Sequence, residues 1–222
     1  IRIFTNMPEY WRAMKVNVIY ALIATAVQLT LGFLLAVLVI NMRPRWQSFY
    51  KIALYLPVII PAAAISVMWR YIYTPEYGLI NQFLRAIGLE ELCRAWPADP
   101  DTALGAVIVT NTWRYAGFTM VLYYVAMLDI PKDVLESAQI DGANRWHLIR
   151  YFYLPLTRGT TEINLILTIT GTSTKVVSMW SMDAAFQSYK YGRALAMSIV
   201  LFVIVVFTMV IFRLILTPRE KE

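Results

Sequence analysis

Between Val16 and Ile40 the chain runs for 25 residues without a single charge. The hydrocarbon core of a bilayer is crossed by about 20 apolar residues in an α-helix, so this run can span it with some tilt. Four more segments repeat the signature with variations. Ile52 to Trp69 is 18 uncharged residues between Lys51 and Arg70, and it contains Pro57 and Pro61. A proline inside a membrane helix frees a backbone carbonyl, which a kink or a neighbouring helix must accommodate. Ala103 to Leu128 carries one charge, Arg114. Leu156 to Val176 is weaker, with Arg158, Glu162 and Lys175 around the apolar stretch INLILTIT. Ala194 to Phe212 is uncharged and leads into the polar tail RLILTPREKE. The expectation is one all-α domain over residues 1–222, a polytopic helix bundle with spans at about 16–40, 52–74, 103–128, 156–176 and 194–212.

Composition agrees with that reading. Hydrophobic residues make up 59% of the chain and charged residues 15%, with a mean hydropathy of +0.56. Soluble domains run nearer 45–50% and roughly 25%. An ordinary soluble enzyme, a disordered chain and a disulfide scaffold are excluded on these grounds. Cys93 is the single cysteine and His147 the single histidine, so a histidine- or cysteine-rich metal site is excluded and no metal ligands are expected. The net charge of +6 is spread over loops without a basic cluster, which makes nucleic acid a poor partner and leaves lipid as the surroundings.

Five crossings place loops 41–51 and 129–155 and the C-terminal tail on one side. Lys and Arg are slightly more numerous there than on the opposite side, which assigns that side to the cytoplasm. The chain opens on Ile1, and IRIFTNMPEYWRAMK holds no apolar signal core, so a preceding segment is expected to be missing.

The loop between the third and fourth runs, Asp129 to Pro155, is too polar for lipid and too patterned for a linker: DIPKDVLESAQIDGANRWHLIRYFYLP. Pro131 suits a first helical turn, and Asp133 and Glu136 favour its N-terminal end. Asp141-Gly142 signals a helix end or turn. A second helix is predicted over 143–153, with Trp146, Ile149, Arg150 and Tyr153 on one face. Leu154-Pro155 is predicted to stop it. The product is a helix–turn–helix under the membrane, and Gly142 permits its sharp bend.

This loop resembles the signature of permease subunits of binding-protein-dependent ABC importers: E-A-A, three residues, G, nine residues, I-x-L-P. Here it reads Glu136-Ser137-Ala138, three residues, Gly142, nine residues, Phe152-Tyr153-Leu154-Pro155. Serine and phenylalanine are mild departures from the pattern. The longer stretch from Ile130-Pro131 to Asp141-Gly142-Ala143 is similar to the carbohydrate-uptake branch, with its maltose-type and glycerol-phosphate-type permeases. LYLPVIIPAAAISVMWRYIYTPEYGLIN and AFQSYKYGRALAMSIVLF resemble the same branch. The resemblance implies a type I ABC importer permease fold in a bacterial or archaeal cytoplasmic (inner) membrane, with five of the family's six spans visible.

It also implies a transport subunit without catalytic residues or a cofactor of its own. ATP and Mg would be bound by a partner ABC ATPase dimer, a second homologous permease would complete the membrane part, and an extracytoplasmic solute-binding protein would deliver the sugar. Glu136, Ser137, Ala138, Asp141, Gly142, Leu154 and Pro155 would make the ATPase-coupling element. Glu136 would pair with a basic group on the ATPase or in its own loop, Ala138 and Gly142 would allow close approach, and Leu135, Ile140 and Trp146 would supply apolar contact. The bland alternative is a surface hairpin packed on its own bundle. Laid without gaps on the family, Asn111, Arg114, Tyr115 and Phe118 fall on the face that lines the sugar path. The same register points to Thr168, Gly171, Thr172 and Lys175. Amide and aromatic groups suit a sugar, through hydroxyl hydrogen bonds and ring stacking. Alternatively Arg114 snorkels near the outer surface. Gln28 and Asn17 more simply hydrogen-bond neighbouring helices, and Trp11, Trp46, Trp69 and Trp180 read as interfacial anchors.

Two departures from the branch stand out: its first span is absent, and Thr174-Lys175-Val176 runs straight into Val177-Ser178-Met179 where an external loop is expected. Omitted residues between Val176 and Val177 are the favoured explanation over a true deletion. A secondary transporter is the competing class, as is an importer permease for a non-sugar solute. The former needs ion-coupling carboxylates within spans, and only Glu162 is available. A membrane enzyme lacks paired carboxylates or a nucleophile motif, and the P-loop pattern is absent, so any ATP is hydrolysed by another chain.

Overall fold

A computed structural model describes residues 8–168 and scattered positions between 199 and 210. Among these residues every regular element is helical. Helix α1 spans Pro8–Ile40, and α2 (Pro44–Ile59) follows a turn held by the Gln47 amide, which donates to the carbonyls of Ile40 and Met42. Then come α3 (Ala62–Ile72), α4 (Leu79–Ala86), a 3₁₀ turn at Glu90–Leu92 and α5 (Pro100–Leu128). Helices α6 (Lys132–Ile140) and α7 (Arg145–Leu148) form the loop hairpin, a π-turn covers Ile149–Tyr153, and α8 occupies 158–168. The chain divides into two compact units, Ile1–Thr30 with Leu122–Glu222, and Leu31–Val121.

The surfaces of the long helices are reversed relative to a water-soluble protein. On α1, Asn17, Tyr20, Ala21, Ala24, Thr25 and Gln28 are buried, a stripe at helical spacing built from small and polar groups. Val16, Ile19, Leu22, Ile23 and Val27 face outward. Lipid tails are as apolar as leucine, so membrane helices associate through close packing of small residues and inter-helix hydrogen bonds rather than by hiding apolar surface. Gln28 shows the second device: its amide donates to the Thr168 hydroxyl at 3.3 Å.

Within the unit Leu31–Val121, glycine supplies the close approach. A Cβ on Gly117 would overlap the backbone carbonyl of Leu54 and lie 2.8 Å from the Tyr55 nitrogen, so α2 and α5 meet backbone to backbone. Gly32 of α1 similarly admits Thr119 of α5, whose Cβ would be 2.7 Å from an added methyl.

The run expected as one span at 52–74 is instead two helices bent by 97°. Proline disfavours helical backbone in the residue before it, and Ile60 accordingly turns extended (φ −65°, ψ 131°) ahead of Pro61, which opens α3. Pro57 is tolerated inside α2. Of the described helices, the segment Lys15–Ile40 alone is long and apolar enough to cross a membrane as one straight element, and the α2–α3 pair passes only when taken together. Helix α5, at 29 residues about 44 Å long, is diluted by Asn111, Thr112 and Arg114 at its middle.

Candidate functional site

The hairpin at 132–156 is built by two capping devices. Helix α6 ends in a Schellman motif: Ala143 N–H donates to the Ala138 carbonyl at 2.9 Å and Gly142 N–H to the Gln139 carbonyl at 3.0 Å, with Gly142 at φ +89°. A left-handed residue is unfavourable for any side chain but cheap for glycine. A Cβ on Gly142 would meet nothing within 4 Å, so glycine is needed here for its backbone and not for close approach. Asn144 then caps α7, its side-chain oxygen accepting the His147 N–H at 2.9 Å. Asn144 is a capping signal legible in the sequence, an Asn three residues before His147 at a helix start.

The second loop helix differs from the uninterrupted 143–153 segment expected. Only Arg145–Leu148 is α-helical, and the next five residues widen into a π-turn. Leu154-Pro155 does not stop the chain; it forms another short helical turn, Leu154–Leu156. Pro155 has no N–H to give, and its ring would press on the carbonyl one turn earlier. Widening the preceding turn relieves that pressure, with Leu154 N–H donating to Ile149 five residues back. Thr157 then closes the junction, its hydroxyl donating to the Tyr153 carbonyl at 2.7 Å. Tyr153 is buried beneath, and burial pushes its hydroxyl above the ordinary tyrosine range, so it stays neutral.

What the hairpin presents outward is mixed. Ile140 is 86% and Trp146 64% exposed, with Tyr151 beside them stacked on His147 at 5.9 Å between ring centres. Leu135 is half-buried, and Ala138 is buried inside the hairpin rather than offered at its surface. Glu136, Ser137 and Asp141 are exposed, and neither acid forms an ion pair with a described residue. A small hollow of about 330 Å³ lies between Ala138, Gly142 and the ring of His147. The result is a rigid polar turn with two uncovered apolar side chains, joined to α8 through the π-turn.

Of the residues expected along a translocation path, Asn111, Arg114, Tyr115 and Phe118 share α5 within two turns. Asn111 is buried, and its amide nitrogen has no hydrogen-bond partner among the described residues. Arg114 donates from Nη2 to the Ile60 carbonyl at 3.3 Å and lies 5.3 Å from the centre of the Tyr115 ring, while its buried Nε has no partner there. Its guanidinium therefore sits at the break between α2 and α3, where a carbonyl has lost its helical donor. Phe118 and Tyr115 are half-buried. Thr168 belongs to the other unit and receives the Gln28 hydrogen bond. Gly171, Thr172 and Lys175, the junction of Val176 with Val177, and Trp180 lie outside the described residues. Trp46 sits exposed among Phe49 and Tyr50, whereas Trp69 packs edge-on to Trp113 at 5.6 Å. Among the described residues no cluster of His, Cys, Asp or Glu could hold a metal ion.

Comparison with known proteins places these features. The family described as binding-protein-dependent transport system inner membrane component matches residues 28–220. The probable ABC transporter permease protein YurN of Bacillus subtilis (strain 168) is 36% identical over 75% of this chain, which spans 58% of YurN. The lactose transport system permease protein LacF of Rhizobium radiobacter is 28% identical over 75% of this chain and 55% of its own length. A crystal structure of a bacterial ABC transporter involved in the import of alginate has the same fold, with a TM-score of 0.85 over 99% of this chain and 82% of that one, at 22% identity. The long apolar stretch of α1, the Gly142 hairpin and the family match over 28–220 together make this chain a member of the binding-protein-dependent transport system inner membrane component family, the permeases of ABC importers.

Proposed function

We propose that the chain is the permease subunit of an ATP-driven importer that takes a carbohydrate from an external binding protein into the cytoplasm. The observation that carries this reading is the hairpin around Gly142, fixed in shape by its own capping bonds yet presenting Ile140, Trp146 and Glu136 without partners among the described residues. Such a turn moves as one body, and a groove on an ATPase supplies the cover it lacks. The ATPase dimer binds ATP and Mg, and a second permease of the same family completes the pathway. LacF, whose name assigns it to lactose transport, supports a sugar cargo, and so does the alginate importer of the same fold.

Asn111, Arg114, Tyr115 and Phe118 face the sugar on this reading. An amide and an arginine Nε without partners among the described residues are ready hydrogen-bond donors to hydroxyls, and the Tyr115 and Phe118 rings suit a sugar's apolar face. Co-purification tests the assembly: an ATPase and a second permease should accompany the chain. ATP hydrolysis by that complex should rise when a candidate sugar and its binding protein are added together. A chain that purifies alone and moves solute with an ion gradient would overturn the proposal.

A further inference from the structure

Helix α4 is built inside out. Its polar edge is tied to its own loop. Asn81, 1% exposed, donates to the carbonyls of Pro75 and Arg94 and accepts from the Trp96 indole, so both ends of its amide are engaged. Arg85 is clamped the same way, donating to the carbonyls of Glu76 at 2.7 Å and Pro75 at 3.1 Å. The opposite edge carries Leu79 and Phe83, 65% and 64% exposed, followed by Ile87. Residues four apart stack on one helix face, so these three make a continuous apolar stripe without a charge. With Asn81 and Arg85 both bonded to the loop, the helix cannot roll the stripe inward.

The depth of α4 identifies what covers it. Gly78 N–H donates to the Thr74 carbonyl, closing a turn within two residues of the end of α3. Tyr73 at that end donates to the carbonyl of Ala106, one to two turns into α5. The base of α4 is thus held level with the C-terminal end of α3 and the first turns of α5, and α4 packs on α3, whose Val67 and Tyr71 are themselves exposed apolar surface. A strongly amphipathic helix held at that level lies along the boundary between lipid headgroups and acyl chains, and Tyr71 and Tyr77 beside it suit the aromatic belt there. We infer that α4 is an interfacial helix that anchors the outer end of the α3–α5 pair in lipid through Leu79, Phe83 and Ile87. The inference rests on the membrane position of the family and not on the identity of the solute.

The test uses the whole transporter in phosphatidylcholine nanodiscs, with Cys93→Ser in this chain and no reactive cysteine in its partners. A nitrobenzoxadiazole probe is attached at Phe83→Cys, at Leu79→Cys, or at Gln82→Cys on the polar edge. Nitroxides carried shallow on the acyl chains should remove most of the emission at 79 and 83 and much less at 82. Aqueous iodide should show the reverse order. If 79 and 83 are quenched by iodide as strongly as 82, the stripe faces water and the inference fails. If they are shielded from both quenchers, a protein subunit covers the stripe and the inference fails equally. Lipid quenching with no sugar-stimulated ATP hydrolysis would leave the anchor standing and sink only the transport proposal.

Discussion

Adding one methyl group at Gly117 is the sharpest perturbation the helix packing allows. Carbon atoms rest about 3.5–4.0 Å apart, yet the new Cβ would lie 2.8 Å from the Tyr55 nitrogen and overlap the Leu54 carbonyl. The three nearest atoms are all backbone, so no side chain there can swing aside, and α2 must move from α5 by roughly 1 Å or more to restore ordinary contact. Overpacking of this kind costs about 1–3 kcal/mol, and the absence of a yielding side chain puts Gly117→Ala at the upper end. The movement also lengthens the 3.3 Å bond from Arg114 on α5 to the carbonyl of Ile60, the residue directly after α2. Gly105 on the same helix is the control, because a Cβ there meets nothing within 4 Å. Gly105→Ala should be neutral or slightly stabilising, by up to about 1 kcal/mol from helix propensity. Both variants are assembled into the transporter and unfolded by titrating SDS into mild detergent, with helicity followed by circular dichroism. Equal midpoints for the two alanines would refute the backbone contact between α2 and α5.

Two further outcomes follow from single side chains. Asn81→Ala removes partners from two loop carbonyls and the Trp96 indole. Each unmet buried group costs about 1–3 kcal/mol, so the segment 75–98 should become protease-sensitive while the spans remain protected; an unchanged digestion pattern would count against the loop's internal order. Arg114→Ala should change the apparent sugar affinity or turnover of reconstituted transporter, and kinetics identical to the parent would return Arg114 to a purely structural role at the Ile60 break.

Much of this architecture was legible because lipid imposes a simple rule: residues 16–40 exclude charge, and so they form a helix. Gly142 was legible because Asp-Gly at a helix end requires a backbone that glycine supplies. The break at Ile60 was only half legible. Pro61 announced a kink, but the size of the bend depends on packing that no local pattern encodes, including the Arg114 guanidinium 54 residues away. Pro155 misled for a related reason. A proline that would end an isolated helix is absorbed here by widening the turn before it. Periodicity also failed to separate lining from lipid-facing residues on α5, because polar Asn111 and Thr112 are buried while Val107 and Val109 face out. Asn81 gave no signal at all, since a lone amide in a polar loop becomes a hub only when Pro75, Arg94 and Trp96 converge on it.

If the Gly142 hairpin carries ATPase closure to the membrane helices, as proposed, Gly142→Val should break that link. The left-handed backbone at φ +89° resists a side chain by about 1–2 kcal/mol, while open space around the Cβ spares the rest of the fold. Sugar uptake and ATP hydrolysis are measured together in proteoliposomes containing the assembled transporter and its binding protein. The variant is expected to insert and assemble, keep a basal ATPase rate, and lose most of its uptake and its stimulation by loaded binding protein. Uptake and stimulation at the parent's level would contradict the proposed coupling role.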